Sequence, residues 1–401
     1  MGNNLFEKFV FALLALYCIT LAVSMQIRSE EYQWDFKIYY YAAKAHAAGL
    51  NPYDTNALSD VAHEPVGLPY TYPPVTLYLF YPFTFMALNK ASWLFLTVKC
   101  FLLIGLVHLW KKDFLGDGRD PLFYPFCLLA FNSAVCVDIW AGNITSFEQF
   151  FIWTAFHFFL RNRWILFCLF LMIGALFRVT PIAFLLLFFF SNAKRKELYL
   201  LLSAAAFLLG SWISYSIHPD QFSDFLNTVS ALHERGFQNP STLPLTRDVL
   251  EIIAGGRKGA VSPRFEWIPY GTLVTGILFV TWRAYRVIQS VVVKDRERLQ
   301  ILLMCLAYAL ILPRFKDYSY ISLIVPTYFL LVKIRFSTRY LLLFVFSILP
   351  IRQLSMLWPR LDLGLLWEYH VLILVYLVWG MYVYELLSLH AGPSLGKRIA
   401  R

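Results

Sequence analysis

A carboxylate, a few cations and several tyrosines interrupt an otherwise apolar chain. Asp35 opens the stretch Trp34-Asp35-Phe36-Lys37-Ile38-Tyr39-Tyr40-Tyr41. Asn143 sits in the tight turn Trp140-Ala141-Gly142-Asn143. Arg178 stands in Arg178-Val179-Thr180-Pro181, between two apolar runs with almost no loop. The last group is Pro313-Arg314-Phe315-Lys316-Asp317-Tyr318-Ser319-Tyr320. A carboxylate at a membrane face can act as a general base, taking a proton from a hydroxyl as that oxygen attacks carbon. Cations near it suit a leaving group that develops negative charge, such as a phosphate with a lipid tail. Arg178, Arg314 and Lys316 are the candidates for that phosphate. Tyr39, Tyr40 and Tyr72 could stack on a substrate or fix it, and Asn143, Asp317 and Tyr318 complete the candidate substrate contacts.

Each of these residues also has a plainer reading. Asp35 could cap a helix and interact with its dipole. Arg178 could snorkel to the interface. Arg314 and Lys316 could be ordinary loop charges, and the tyrosines could be packing or a headgroup-level aromatic belt. The eight histidines are scattered, and the six cysteines (Cys18, Cys100, Cys127, Cys136, Cys168, Cys305) lie within or beside apolar segments. Neither set has metal-binding spacing, and no CxxC pair suggests a disulfide framework. The proposed chemistry needs one base and some cations, so the expectation is no metal and no cofactor.

The elements that must position these groups are membrane helices. The chain is 59% hydrophobic, above the roughly half that is usual for soluble domains. Apolar stretches of spanning length recur from end to end. The net charge of +10 lies in short basic clusters between those stretches, as expected for cytoplasmic loops, and this argues against nucleic-acid binding. Spans are expected near 6–25, 92–110, 122–137, 147–160, 164–177, 180–190, 198–217, 269–291, 299–312, 319–332, 340–350 and 363–387. That makes about twelve, with both ends cytoplasmic. The first reads as a retained helix, not a cleaved signal. The proline-bracketed run 76–88 is left out as a re-entrant or surface segment, because this places every strong basic cluster inside. The whole chain, 1–401, is expected to be one all-α membrane domain. Its long loops gather on one face: 28–74, a short helix starting at Asp35 included, and 218–267. No charge at mid-membrane stands out.

The motifs together resemble a known family. Asp-Phe-x-x-Tyr-Tyr-x-Ala-Ala with Gly-x-Asn-Pro-Tyr-Asp spans Asp35 to Asp54. Tyr-x-Tyr-Pro-Pro at 70–74, Gly142-Asn143, and a basic residue two positions before Thr-Pro follow. This pattern is similar to glycosyltransferase family 87, membrane enzymes of the C-type fold that include polyprenol-phosphate-mannose-dependent α-mannosyltransferases. The resemblance runs from Asp35 to about Tyr320. It implies a plasma-membrane enzyme with an extracytoplasmic site, a polyprenyl-phosphate sugar donor, a glycan or glycolipid acceptor, and Asp35 as catalytic base. Arg178 stands where the family often has Lys in Lys-x-x-Pro. The family's late motif usually carries a histidine; here that stretch is Pro313 to Tyr318 without one, and Arg314 or Lys316 is expected to take over donor phosphate binding. The alternative class is a lipid or polysaccharide transporter, for which mid-membrane charges, related halves and short loops on both sides would be expected.

Overall fold

A computed structural model describes residues 32–116, 120, 122–255, 262–290, 295–334, 343, 345–349, 351 and 364–390. The first expected span and residues 340–342, 344 and 350 of another fall outside the described residues. Every regular element among those described is helical. A chain in hydrocarbon must satisfy its own N–H and C=O groups, and the helix does so within one segment.

The longer helices are α1 Trp34–Ala47, α2 Thr55–Ala62, α3 Leu88–Trp110, α4 Phe123–Ala141, α5 Thr145–Leu160, α6 Trp164–Phe177, α7 Lys196–Ile217, α8 Pro219–Ala231, α9 Thr242–Ile253, α10 Pro263–Ser290, α11 Arg296–Ile311 and α12 His370–His390. Among the described residues, four stretches are long and apolar enough to cross a membrane: Leu88–Leu115, Phe123–Ala141, Lys196–Ile217 and His370–Ser388. Other expected spans are shorter or broken. Thr180–Phe190 is a 3₁₀ helix, which rises about 2.0 Å per residue and so reaches further than an α-helix of equal length. The expected span 319–332 falls across a 3₁₀ turn (Asp317–Leu323), a single α turn (Ile324–Tyr328) and a π turn (Phe329–Ile334). The run after Pro73-Pro74 breaks into Pro74–Thr76, Leu77–Phe80 and Tyr81–Phe85. Most of the expected loop 218–267 is also helical, as α8, α9 and the start of α10.

The described chain divides into two compact units. One holds residues 32–113 and 138–233, the other 114–137 and 234–390. Helix α4 contributes to both and is broken at Ala130–Ser133, where Phe131, Asn132 and Ser133 take left-handed φ values of 53°, 59° and 58°.

In the first unit, α1 forms where the alanine-rich run favours helix. It ends where Gly49 takes a φ of 76° ahead of Asn51-Pro52. Its Phe36 is fully buried and stacks on Phe95 of α3 at 4.5 Å. Helices α3 and α5 run in the same direction, since Gly105 lies against Phe150 and, further along, Asp113 meets His157 at 2.6 Å. Helix α7 is mostly exposed, with Leu201, Leu202, Leu208, Leu209 and Trp212 on its surface. So large an apolar face is a lipid surface in a protein of this composition. In the second unit α11 is buried almost throughout. Tyr285 of α10 donates to the Gln300 carbonyl at 2.6 Å, and Trp379 of α12 donates to Thr281 at 3.0 Å.

Candidate active site

The first unit gathers Asp35, Tyr39, Tyr72, Asn143 and Arg178 around one carboxamide. Asp35 and Tyr39 are four residues apart on α1 and share a face. Asn143 Nδ2 donates to Asp35 Oδ2 at 2.6 Å and to the Tyr39 hydroxyl at 3.1 Å, and reaches Tyr72 at 3.5 Å. The two tyrosine hydroxyls meet at 3.1 Å. On the other side, Asn143 Oδ1 accepts from the Thr145 N–H at 3.0 Å, the Thr145 hydroxyl at 2.8 Å and Arg178 Nη2 at 3.4 Å. Both faces of the amide are therefore committed, and its orientation is fixed. Asp35 is half-buried, while Tyr39 and Tyr72 are nearly closed off from solvent. Burial pushes the Tyr72 hydroxyl above its ordinary range; Arg178 pulls it back and Asp35 adds to the rise. Tyr72 thus stays protonated at neutral pH.

Asp35 is not the cap of α1. Gln33 holds that position at a φ of 55°, without a side-chain cap bond. Its N–H donates to the Trp140 carbonyl at 2.6 Å, and its own carbonyl accepts from Lys37 N at 2.9 Å. The start of α1 is thereby tied to the turn that carries Asn143. Gly142 makes the approach possible. It takes a φ of 66°, and a Cβ there would fall 2.9 Å from Phe36 Cβ and 3.1 Å from Gln33 Cα. The Asn51-Pro52-Tyr53 stretch holds the third wall, where the Tyr53 hydroxyl donates to the Tyr72 carbonyl at 2.7 Å.

Three charged residues of the surrounding shell are absent from the sequence reading as site residues. Lys99 is fully buried in α3 and forms a 3.0 Å ion pair with Asp138 Oδ2. It also donates to the Asn143 carbonyl at 2.6 Å and to the Asp138 carbonyl. Ser146 donates to the same Asp138 carboxylate. Glu148, also buried, accepts from Arg178 Nη1 at 2.9 Å. Lys99 stands in the middle of the apolar stretch Leu88–Leu115. A buried charge in an apolar helix costs several kcal/mol unless paired, so each of these is held by its partner. Lys99 lies eleven residues beyond Leu88, roughly 16 Å along α3 at 1.5 Å per residue. The turn is therefore set well below the start of that helix. The sequence signal was a lone Lys within Leu-Thr-Val-Lys-Cys-Phe-Leu and a lone Glu within Ser-Phe-Glu-Gln-Phe-Phe.

Tyr40 is not part of this group. It lies one position round the helix, donates to the Met86 carbonyl at 2.8 Å, and has Lys44 4.9 Å above its ring. Arg314, Lys316, Asp317 and Tyr318 belong to the second unit. There Glu234 binds both cations, with Arg314 Nη2 at 2.9 Å and Lys316 Nζ at 2.6 Å. Lys316 also lies 5.9 Å from the Tyr318 ring, and Asp317 is buried at the first position of its 3₁₀ turn. Beside this cluster, Arg235 pairs with Asp248 and Glu251, and the Tyr369 hydroxyl donates to Asp248. Among the described residues, no group of three or more His, Cys, Asp or Glu side chains is placed to hold a metal ion.

The group is a half-exposed carboxylate held by an amide in an apolar helical frame. The family model for glycosyltransferase family 87 matches residues 70–313. The chain belongs to glycosyltransferase family 87. It is a membrane glycosyltransferase. The match takes in Tyr72, Asn143 and Arg178, stops at Pro313, and begins after α1, so Asp35 rests on the geometry and on the motif resemblance. No curated protein matches the chain.

Proposed function

We propose that this family 87 member transfers a sugar from a polyprenyl-phosphate donor to a glycan or glycolipid acceptor on the extracytoplasmic face of the plasma membrane, with mannose or a related sugar as the group moved. Asp35 is the base. It takes the proton of the acceptor hydroxyl while that oxygen bonds to the anomeric carbon from the face opposite the phosphate. The anomeric C–O bond breaks, and its electron pair leaves with polyprenyl phosphate. The anomeric centre inverts.

The observation that carries this reading is the placement of Asp35, half-exposed and fixed by Asn143 at 2.6 Å. An apolar groove of about 260 Å³ supports the lipid donor; it is lined by Pro73, Val75, Leu176, Val179, Phe207 and Leu226. It runs directly beside Tyr72 and Arg178 in sequence and suits an isoprenoid chain entering from the bilayer. Arg178 precedes the groove-lining Val179, its charge balanced by Glu148. Arg314 and Lys316 of the second unit, both paired with Glu234, are cations of the kind that bind a phosphate.

The test is turnover of purified protein on a panel of polyprenyl-phosphate sugars beside nucleotide sugars, comparing the native chain with Asp35→Asn. Release of polyprenyl phosphate from one lipid donor, lost in folded Asp35→Asn, is the expected result. Turnover of a nucleotide sugar, or full activity of Asp35→Asn, overturns it.

A further inference from the structure

A second cavity, of about 300 Å³, opens on the other face of α1. Gln33, Lys37 and Tyr41 recur every fourth residue and line it from α1, whereas Asp35 and Tyr39 face the reaction centre. Glu64 follows α2, and Asn89 and Trp93 come from the first turns of α3.

The chemistry of the wall narrows the ligand. Lys37 and Glu64 approach to 4.0 Å, so the wall carries both signs and no excess charge. That disfavours a phosphate. The wall is too polar for a lipid tail, whose groove lies elsewhere in the unit. Trp93 is 37% exposed, and with Tyr41 it offers ring faces to the C–H face of a sugar. An amide, a carboxylate and an ammonium are spaced to bond several hydroxyls at once. Gln33 adds an independent observation. It is nine-tenths buried, and its carboxamide oxygen has no hydrogen-bond partner among the described residues. A buried acceptor without a donor costs about 1–3 kcal/mol, and a ligand hydroxyl reached by a small turn of the amide would offset that. The volume is at the small end for ligand pockets, enough for a single ring.

The geometry points to a saccharide subsite in this cavity, holding a neutral sugar ring of the acceptor some residues away from the one that reacts. This rests on the glycosyl-transfer reading above. The position fits: Gln33 is two residues from Asp35, and its N–H is bonded to the turn that carries Asn143. A ring seated here would lie one helix-width, roughly 10 Å, from the base, a separation that suits a longer glycan reaching round the start of α1.

The test separates this subsite from the reaction. Binding of methyl hexopyranosides and their disaccharides to full-length Asp35→Asn protein is followed by saturation-transfer NMR, with no turnover needed. Binding by the Asp35→Asn protein, lost when Trp93→Ala or Glu64→Gln is added, is expected. In the active protein the same substitutions should raise acceptor KM about tenfold or more, leaving kcat and donor KM in place. Both side chains are exposed, so the fold should survive, and thermal unfolding checks it. If Trp93→Ala and Glu64→Gln both bind sugar normally, or no sugar binds, the subsite is overturned. If sugar binds through Trp93 but no lipid donor turns over, the subsite stands and the transfer reading falls.

Discussion

The two units handle charge in opposite ways. In the first, the cations beside the candidate base pair with buried carboxylates: Lys99, itself fully buried, with Asp138, and half-buried Arg178 with Glu148. In the second, Arg314 and Lys316 divide one partly exposed carboxylate between them. Buried, saturated pairs fix geometry, because moving either member strands a charge in low dielectric. The first arrangement suits positioning a reacting group; the second is a network of shared charges, in which Arg235 also pairs with Asp248 and Glu251.

The comparison is broken most sharply at Asp35. Asp35→Asn keeps size and can still accept from Asn143, so the fold should hold while the transfer rate drops on the order of 10³-fold or more. Single-turnover release of the lipid phosphate is the measurement, and a drop of less than tenfold would move the base elsewhere.

Next in size is stability at Lys99. Lys99→Met leaves Asp138 buried without its cation, and the loss should be about 3–5 kcal/mol. Adding Asp138→Asn should restore a large part of it, since the stranded charge is gone. Unfolding followed in detergent checks both. Equal losses in single and double variants would show that the pair does not hold the turn.

The second unit should respond more mildly and in both directions. Lys316→Ala should raise donor KM several-fold, up to about tenfold. Glu234→Gln should lower it, because the two cations then lose their common counter-charge. If both substitutions raise donor KM, the cluster is structural and the contrast between units fails.

The smallest effect tests whether the first unit has a titrating weak point. His46, near the end of α1, lies 4.8 Å from the His218 ring, which accepts or donates at 2.8 Å to Tyr78. Burial, reinforced by His218 and opposed by Gln221, holds His46 below the ordinary histidine range. The unfolded chain therefore takes up this proton first as the pH falls. The contribution is fully present above about pH 6.5 and is lost as the pH drops through the lowered folded value. Melting temperature measured from about pH 7 to about pH 5 should fall less in His46→Gln than in the native chain; identical slopes would remove His46 from the account.

The sequence reading reached Asp35, Tyr39, Tyr72, Asn143 and Arg178 separately, because each is a polar interruption at the edge of an apolar run. That the five meet is a tertiary fact. Asn143 is more than a hundred positions from Asp35, and no local rule links them. Lys99 and Glu148 were missed because they stand inside apolar runs, where a charge reads as an isolated tolerance until its partner is known. Tyr40 shows the opposite limit. Next to Tyr39 in sequence and identical in type, it is carried to another face by one helical step. The helical, membrane-bound character was legible from composition alone, whereas span counting was not, since 3₁₀ and π turns replace whole α-helices at 180–190 and 317–334.

Gly142 carries a consequence of its own. It has no functional group, yet its bare Cα sets how near α1 can come to the turn. A methyl there would act as a shim, lifting the carboxylate away from the amide while every polar residue stayed in place. The catalyst could be silenced, or graded, by steric thickness alone at a position with no chemistry to lose. A search for essential residues guided by acids, bases and nucleophiles would pass straight over it.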